Sequence, residues 1–288
     1  MSLYNVIERL NEIRTLKVLF VGDTIIDEYC YVTPLQRSPK EPIIPARIES
    51  REVFRGGVEA AANHARSFCQ QVDVASYGPV TKKTRMIEVG TMRKLFETHE
   101  TTGINDRGGE PGSAYDVLVV TDFGHGEFRK DQRQWLCEQP GYLCVNAQTN
   151  SANFGFNLIT QYERADYVVI DEPEARLAAH DRESPIEHVL ETLAANRFTK
   201  MIITRGSDGA IGYDGTGFAR MKAFAKRPMD TMGAGDAFYA VTAPLSPIAS
   251  LEELLLIGSA AAAIKCDIVG HRTPVTKQDV ITFLESIA

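Results

Sequence analysis

Apolar residues recur along the chain in two rhythms. Six short runs rich in aliphatic and β-branched residues read as buried strands: KVLFVG (17–22), VDVASY (72–77), DVLVVT (116–121), LCVNA (143–147), YVVID (167–171) and MIITR (201–205). Between them, apolar residues spaced three and four apart predict helices over 58–69, 129–138, 185–197, 233–243, 251–266 and 276–287. Uninterrupted apolar strands alternating with helices predict an α/β fold, a mostly parallel sheet covered on both faces.

Three segments break the alternation. EYCYVTP (28–34), PIIPARIES (42–50) and KTRMIEVG (83–90) are strand-like with no helix between the first two. They predict a small antiparallel flap over one end of the main sheet, placed to exclude water from a site. No repeat, low-complexity tract or Pro/Gly/Ser linker divides the chain. Residues 1–288 therefore read as one domain, with a flap drawn from about 28–50 and 83–98.

Composition narrows the function class. A formal net charge of -7 argues against a nucleic-acid backbone as partner, although a local basic site for a small anion is compatible with it. The longest apolar run, LLLIGSAAAAI (254–264), is far shorter than the roughly 20 residues that span a bilayer, so no membrane partner is expected. The first residues, MSLYNVIERLNEIR, are amphipathic and charged where a secretory signal would be apolar. Five cysteines form no CxxC pair, which suits reduced thiols in a cytoplasm and disfavours zinc.

The stretch DTMGAGDAF (230–238) carries the clearest chemistry. Glycines at 233 and 235 permit a tight turn whose amides at Gly233, Ala234 and Gly235 can form an anion nest. Asp236 follows at a helix start, where the dipole favours a carboxylate. A carboxylate beside an anion nest can take a hydroxyl proton while the nest stabilises charge on a transferring phosphoryl group. An N-capping aspartate after a glycine turn would look the same in isolation.

DTMGAGDAF resembles the C-terminal signature DTxGAGD of the ribokinase-like, or PfkB, carbohydrate kinases. VGDTIIDEY (21–29), SPKEP (38–42), FRGGVEAAANHARSF (54–68), TKKTR (81–85), VVTDFGHG (119–126), IDEPEARL (170–177) and TRGSDG (204–209) follow in the order expected of the heptose 7-phosphate kinase branch. The resemblance implies a three-layer α/β/α sandwich with a β-lid, and a homodimer formed through that lid. It implies ATP as donor, Mg²⁺ as cofactor, room for K⁺, and a sugar or sugar phosphate as acceptor, foremost a heptose 7-phosphate.

Residue by residue, the resemblance makes Asp236 the base and Gly233, Ala234 and Gly235 the anion hole. Asp23 and Asp27 would hold sugar hydroxyls, Gly56 and Gly57 would admit the sugar, Lys83 and Arg85 would reach in from the flap, and Asp122 would touch substrate. Asp171, Thr204, Gly206 and Gly209 would meet the nucleotide, and Glu174 would act on Mg²⁺ through water. The run AAAAIKC (260–266) would flank the adenine.

Several positions depart from the pattern. Ala60 stands where a sugar-binding Asn usually follows the glycine pair, His125 where Lys is commoner, and Asp171 where Asn is commoner. The family also has a further strand and helix between VASYGPV and TKKTR, and a helix between ETHETTG and AYDVLVV; both stretches are short here. GxxxxGK[ST], HExxH and GxSxG do not occur, and Phe238 stands where a dinucleotide fold would place its third glycine. Two readings stay open: an ATP-dependent sugar kinase, and a catalytically weak ligand-binding or regulatory module on the same fold.

Overall fold

The computed structural model describes residues 3–104, 115–195, 197–226 and 228–288. Its main sheet has six parallel strands: β1 (Lys17–Gly22), β4 (Gln71–Ala75), β7 (Val117–Asp122), β8 (Tyr142–Ala147), β9 (Ala165–Asp171) and β10 (Phe198–Thr204). They lie in the order β4-β1-β7-β8-β9-β10, and the short antiparallel strands β11 (Ala210–Tyr213) and β12 (Phe218–Met221) extend the β10 edge.

Alternation along each strand feeds two cores. On β1, Val18 and Phe20 pack with α1 (Leu3–Glu12), α2 (Val58–Ala65), α6 (Ala234–Thr242), α7 (Leu251–Cys266) and α8 (Lys277–Ile287). Leu19 and Val21 point the other way, into the layer of α3 (Lys130–Glu138), α4 (Glu172–Ala179) and α5 (Ile186–Ala194). Because both faces are covered, the central strands read as near-continuous apolar runs, with polar residues such as Thr121 and Asn146 toward their carboxyl ends. The result is the expected three-layer sandwich.

The second sheet is larger than expected and mixed rather than antiparallel. Its strands are β2 (Thr24–Pro34), β3 (Ala46–Gly57), β5 (Pro79–Glu88) and β6 (Lys94–Ile104), in the order β3-β2-β5-β6. β2 pairs antiparallel with β3 but parallel with β5. The reason lies in the main sheet: β1 and β4 run parallel, and the chain leaves each at its carboxyl end to enter β2 and β5 directly. Both strands inherit the same direction.

That direct passage from β4 to β5 also shows that no further strand and helix intervene there, so β4 is the edge of the main sheet. The other short stretch, between ETHETTG and AYDVLVV, falls largely on 105–114 and lies outside the described residues. Strands after β1 add successively on either side of it, first β4 and then β7, so the order of connection reverses between the parallel strands β1 and β7. Ligands of open α/β sheets bind at the carboxyl ends beside such a switch.

Candidate active site

The turn before α6 is shaped by its glycines in two different ways. Gly233 caps the helix with φ 74°, a left-handed conformation that a side chain would strain. Gly235 needs no unusual angle, and a Cβ there would meet nothing within 4 Å. Its missing side chain leaves the space in front of the helix end open. The first intrahelical bond runs from Ala237 N to Gly233 O at 2.9 Å, so the amides of Ala234, Gly235 and Asp236 precede it. Ala234 is partly engaged, by Thr231 O at 3.3 Å, which leaves Gly235 and Asp236 as the freer donors of the expected nest.

Asp236 faces a cavity of about 210 Å³ that Gly233, Gly235, Asn146, Gln148, Thr149, Asp171, Glu174 and Thr204 also line. Burial raises its carboxyl above the ordinary carboxylate range, opposed by a 2.5 Å hydrogen bond from Gln148 Nε2 and by the charges of His271, Lys265 and Lys83. The hydrogen bond and the nearby cations thus favour the ionised form that a proton acceptor needs, against the burial that disfavours it.

Asp171 and Glu174 form a capping box at the start of α4. Glu174 N donates to Asp171 Oδ1 at 2.7 Å, and Asp171 N donates to Glu174 Oε2 at 2.9 Å. Thr149 N takes the other Glu174 oxygen at 2.9 Å. Burial and the Asp171 charge push the Glu174 carboxyl up to about 8. A cation in the cavity would favour its ionised form. With both oxygens already accepting main-chain amides, this carboxylate fits a Mg²⁺ ion held through water better than direct ligation, and among the described residues no cluster of three or more His, Cys, Asp or Glu is built to hold a metal.

Thr204 reaches the cavity, whereas Gly206 and Gly209 sit in the next turn and do not line it. Gly209 is fixed by packing: φ is 88°, and a Cβ would lie 2.0 Å from Met221 O.

The second sheet brings cations to the other side of Asp236. Arg85 pairs with Asp27 Oδ1 and reaches Glu97 Oε2 at 2.6 Å. His271 Nε2 lies 3.2 Å from Asp27 Oδ2. Burial works against the Asp27 charge, but His271 and Arg85 hold its carboxyl down at about 2. Asp27 thus orients the Arg85 guanidinium and the His271 imidazole, and Gly56 makes room for it, since a Cβ there would lie 2.3 Å from Asp27 Oδ2.

Lys83 is 8% exposed, and among the described residues no hydrogen bond or ion pair reaches its ammonium. Burial and Arg85 lower its pKa, while Glu97, Asp27 and Asp236 raise it. Beside it, burial and Lys83 depress the His125 imidazole to about 4. His125 Nε2 and His271 Nδ1 are buried without a hydrogen-bond partner among the described residues. Unsatisfied buried nitrogens beside an unpaired ammonium are costly unless a ligand completes them.

Two expected substrate contacts give way to structural roles. Asp23 is 0% exposed and accepts the amides of Phe123 (2.7 Å), His125 (3.2 Å) and Glu127 (3.2 Å). It clasps the loop after β7, so a sugar hydroxyl cannot reach it, and Gly57 packs against its carbonyl, where a Cβ would stand 2.2 Å away. Asp122 is equally enclosed: Arg133 and Tyr162 take Oδ2, and Asn157 and Gly124 take Oδ1. Ala60 is buried within α2, and Asn63 pairs with Arg66, so neither supplies the polar group that the family pattern has here.

Gln148, Asn146 and His271 were not anticipated. Gln148 and Asn146 lie in NAQTN, a polar run at the carboxyl end of a buried parallel strand, a place where function concentrates. His271 follows a glycine in a C-terminal loop, and no local signal distinguishes it.

The chain resembles known proteins along more than nine-tenths of its length. It is 22% identical to the bifunctional protein HldE of Wolinella succinogenes over 93% of the chain, and spans 65% of that relative. In fold it resembles ribokinase from Thermotoga maritima (TM-score 0.73, 17% identity, 94% of this chain and 99% of that one). It also resembles phosphofructokinase-2 from Escherichia coli, solved in complex with potassium (TM-score 0.72, 13% identity, 95% and 99%). The profile of the pfkB family carbohydrate kinases matches residues 132–278, just over half of the chain. This part carries Asn146, Gln148, Asp171, Glu174 and Thr204 of the cavity wall and the glycine turn before Asp236, and the chain belongs to the pfkB family of carbohydrate kinases.

Proposed function

We propose that this chain transfers the γ-phosphoryl group of ATP to a hydroxyl of a phosphorylated sugar, with heptose 7-phosphate the leading acceptor. The observation that carries the reading is the position of Asp236: it stands at an open helix N-terminus, between a cavity shared with Glu174 and a basic cluster containing the unpaired Lys83. The order of the motifs, which resembles the heptose 7-phosphate kinase branch, supports the heptose. The basic cluster supports an acceptor that brings its own phosphate.

In this reading the acceptor O–H bond breaks toward Asp236, the freed oxygen pair forms the new O–P bond, and the bond between Pγ and the bridging oxygen breaks as ADP leaves. The amides of Gly235 and Asp236, with the α6 dipole behind them, stabilise the transferring group. Glu174 would hold a Mg²⁺ ion through its water shell, and the ion would supply charge neutralisation of the nucleotide phosphates. Thr204 and Asp171 border the nucleotide. Lys83, Arg85 and His271 bind the acceptor, and Asp27 orients the last two.

The second sheet closes over the acceptor and pairs with a second copy of the chain. Supporting this, β6 is exposed along its length, with Phe96 58% and, on β3, Val53 62% exposed. All five cysteines are free, which supports a reducing, cytoplasmic location.

The test measures ADP release against sugars with and without a phosphate. Turnover with phosphorylated sugars supports the proposal. Nucleotide binding with no sugar-dependent turnover would instead identify a binding module.

A further inference from the structure

Lys265 is a lysine with 0% exposure in the last turn of α7. Its ammonium donates to Met232 O at 2.8 Å and to Ile268 O at 3.2 Å. These two carbonyls flank the glycine turn: Met232 immediately precedes Gly233, and Ile268 leads into the loop that carries His271. A Cβ built on Gly233 would stand 3.3 Å from Lys265 Cε and 3.7 Å from its Nζ. The charge therefore lies directly behind the anion nest.

The surrounding bonds fix this geometry. Met229 N and Asp230 N both donate to Cys266 O, at 2.9 and 3.0 Å. Asp230 in turn accepts from Gly270 N at 3.1 Å, Met232 N at 3.1 Å and Lys94 Nζ at 3.0 Å. The segment 229–232 is thus tied to the α7 terminus by its main chain, and Lys265 is the one buried cation among the described residues that bonds the carbonyl adjoining Gly233. Burial lowers its pKa, and Asp230 and Asp236 counteract that.

A monovalent cation serving this turn would need inward-facing main-chain carbonyls as ligands, since hard cations take oxygen donors. Here Met232 O and Ile268 O face an ammonium instead, so the residues present do not fit a K⁺ ion at this place.

We propose that Lys265 is a positioning residue that serves as a built-in monovalent cation: it fixes the turn 231–233 and places a permanent positive charge behind the anion nest, so that phosphoryl transfer proceeds without added K⁺. This rests on the kinase reading, and the test separates the two. The full chain and its Lys265→Met variant are compared in KCl and in tetramethylammonium chloride at equal ionic strength, by thermal unfolding and by steady-state kinetics. The wild type is expected to melt and turn over alike in both salts. Lys265→Met, which keeps the buried stem but not the charge, is expected to lose roughly ten-fold or more in kcat with KM for ATP little changed. K⁺, but not tetramethylammonium, should raise its melting temperature and recover part of the rate.

A wild type that needs K⁺ for rate, or that K⁺ stabilises, overturns the proposal. So does a Lys265→Met variant that melts lower yet keeps its kcat, because that identifies only a structural tie. If Lys265→Met does not fold, the wild-type comparison and Lys265→Arg, which keeps the charge and should stay K⁺-independent, decide the matter. A chain without sugar-dependent turnover in any salt would fail the kinase reading alone, and the melting comparison would still report on the cation.

Discussion

Gln148 and Asp236 are 88 positions apart, yet Gln148 Nε2 donates to Asp236 Oδ1 at 2.5 Å, joining the carboxyl end of β8 to the start of α6. The bond holds the carboxylate toward the cavity and favours its ionised form. Asp236→Asn should therefore lower kcat by about 10²–10⁴-fold while nucleotide binding persists. Gln148→Leu should cost less, and it has a distinct signature: without the donor, the carboxyl pKa rises, and the acid limb of the kcat/KM profile moves to higher pH. A pH–rate profile of both variants checks this, and an unshifted limb would remove Gln148 from the role.

In the proposed reaction, Lys83 is the residue that discriminates phosphorylated from free sugars. A charge-assisted hydrogen bond to phosphate contributes about 1.5–3 kcal/mol. Lys83→Met should raise KM for a sugar phosphate by about ten- to hundred-fold and leave the weaker turnover of the unphosphorylated sugar nearly unchanged. Equal losses on both substrates would show that Lys83 acts on the fold or on catalysis, and not on the acceptor's phosphate.

Glu174 makes stability depend on pH in an unusual direction. Burial and the Asp171 charge push its carboxyl up to about 8 in the folded chain, from an ordinary value of about 4.5. Between those values the folded chain keeps a proton that the unfolded chain has lost, so the contribution is fully present at acidic pH and declines as pH rises toward 8. The slope from one such group is at most about 1.4 kcal/mol per pH unit. Asp23, which burial and Asp122 push up to about 7, acts in the same sense over the lower part of that range. Glu174→Gln should therefore be less stable at pH 5, because its amide faces a main-chain donor, and should show a flatter melting curve between pH 7 and 8, measured by calorimetry. Mg²⁺ should stabilise the wild type most at pH 8 and the variant much less.

The legible parts of the molecule are those whose physics is local. Six strands buried on both faces read as plain apolar runs, and all six exist within a few residues of their expected limits. β11 and β12, four residues each with Gly212, Ala219 and Arg220, offer no such run, and β6 is exposed throughout, so its apolar positions follow no buried face. At the site, the glycine turn announces itself because backbone conformation restricts its residue types. Asp23 is not legible in this way, because an aspartate after a strand looks the same in sequence whether it faces a cavity or three loop amides. Gln148, His271 and Lys265 were invisible because their meaning lies in contacts to distant segments, as with the 33-residue separation between Lys265 and Met232.

The two glycines of the turn should respond oppositely to the same substitution. Gly233 sits at φ 74°, so Gly233→Ala forces a left-handed alanine at a cost of about 1–2 kcal/mol and presses its methyl toward Lys265 and His271. Its melting temperature should fall. Gly235 lies inside the first turn of α6, where alanine is favoured over glycine by up to about 1 kcal/mol, and a Cβ there meets nothing within 4 Å. Gly235→Ala should therefore fold as well as the wild type or better. Its methyl, however, occupies the open space before the helix end where a phosphoryl group must approach the amides, so kcat should fall while stability does not. Thermal melting and single-turnover rates measured together distinguish the two effects. An active Gly235→Ala enzyme would mean that the transferring phosphate does not pass in front of this helix terminus.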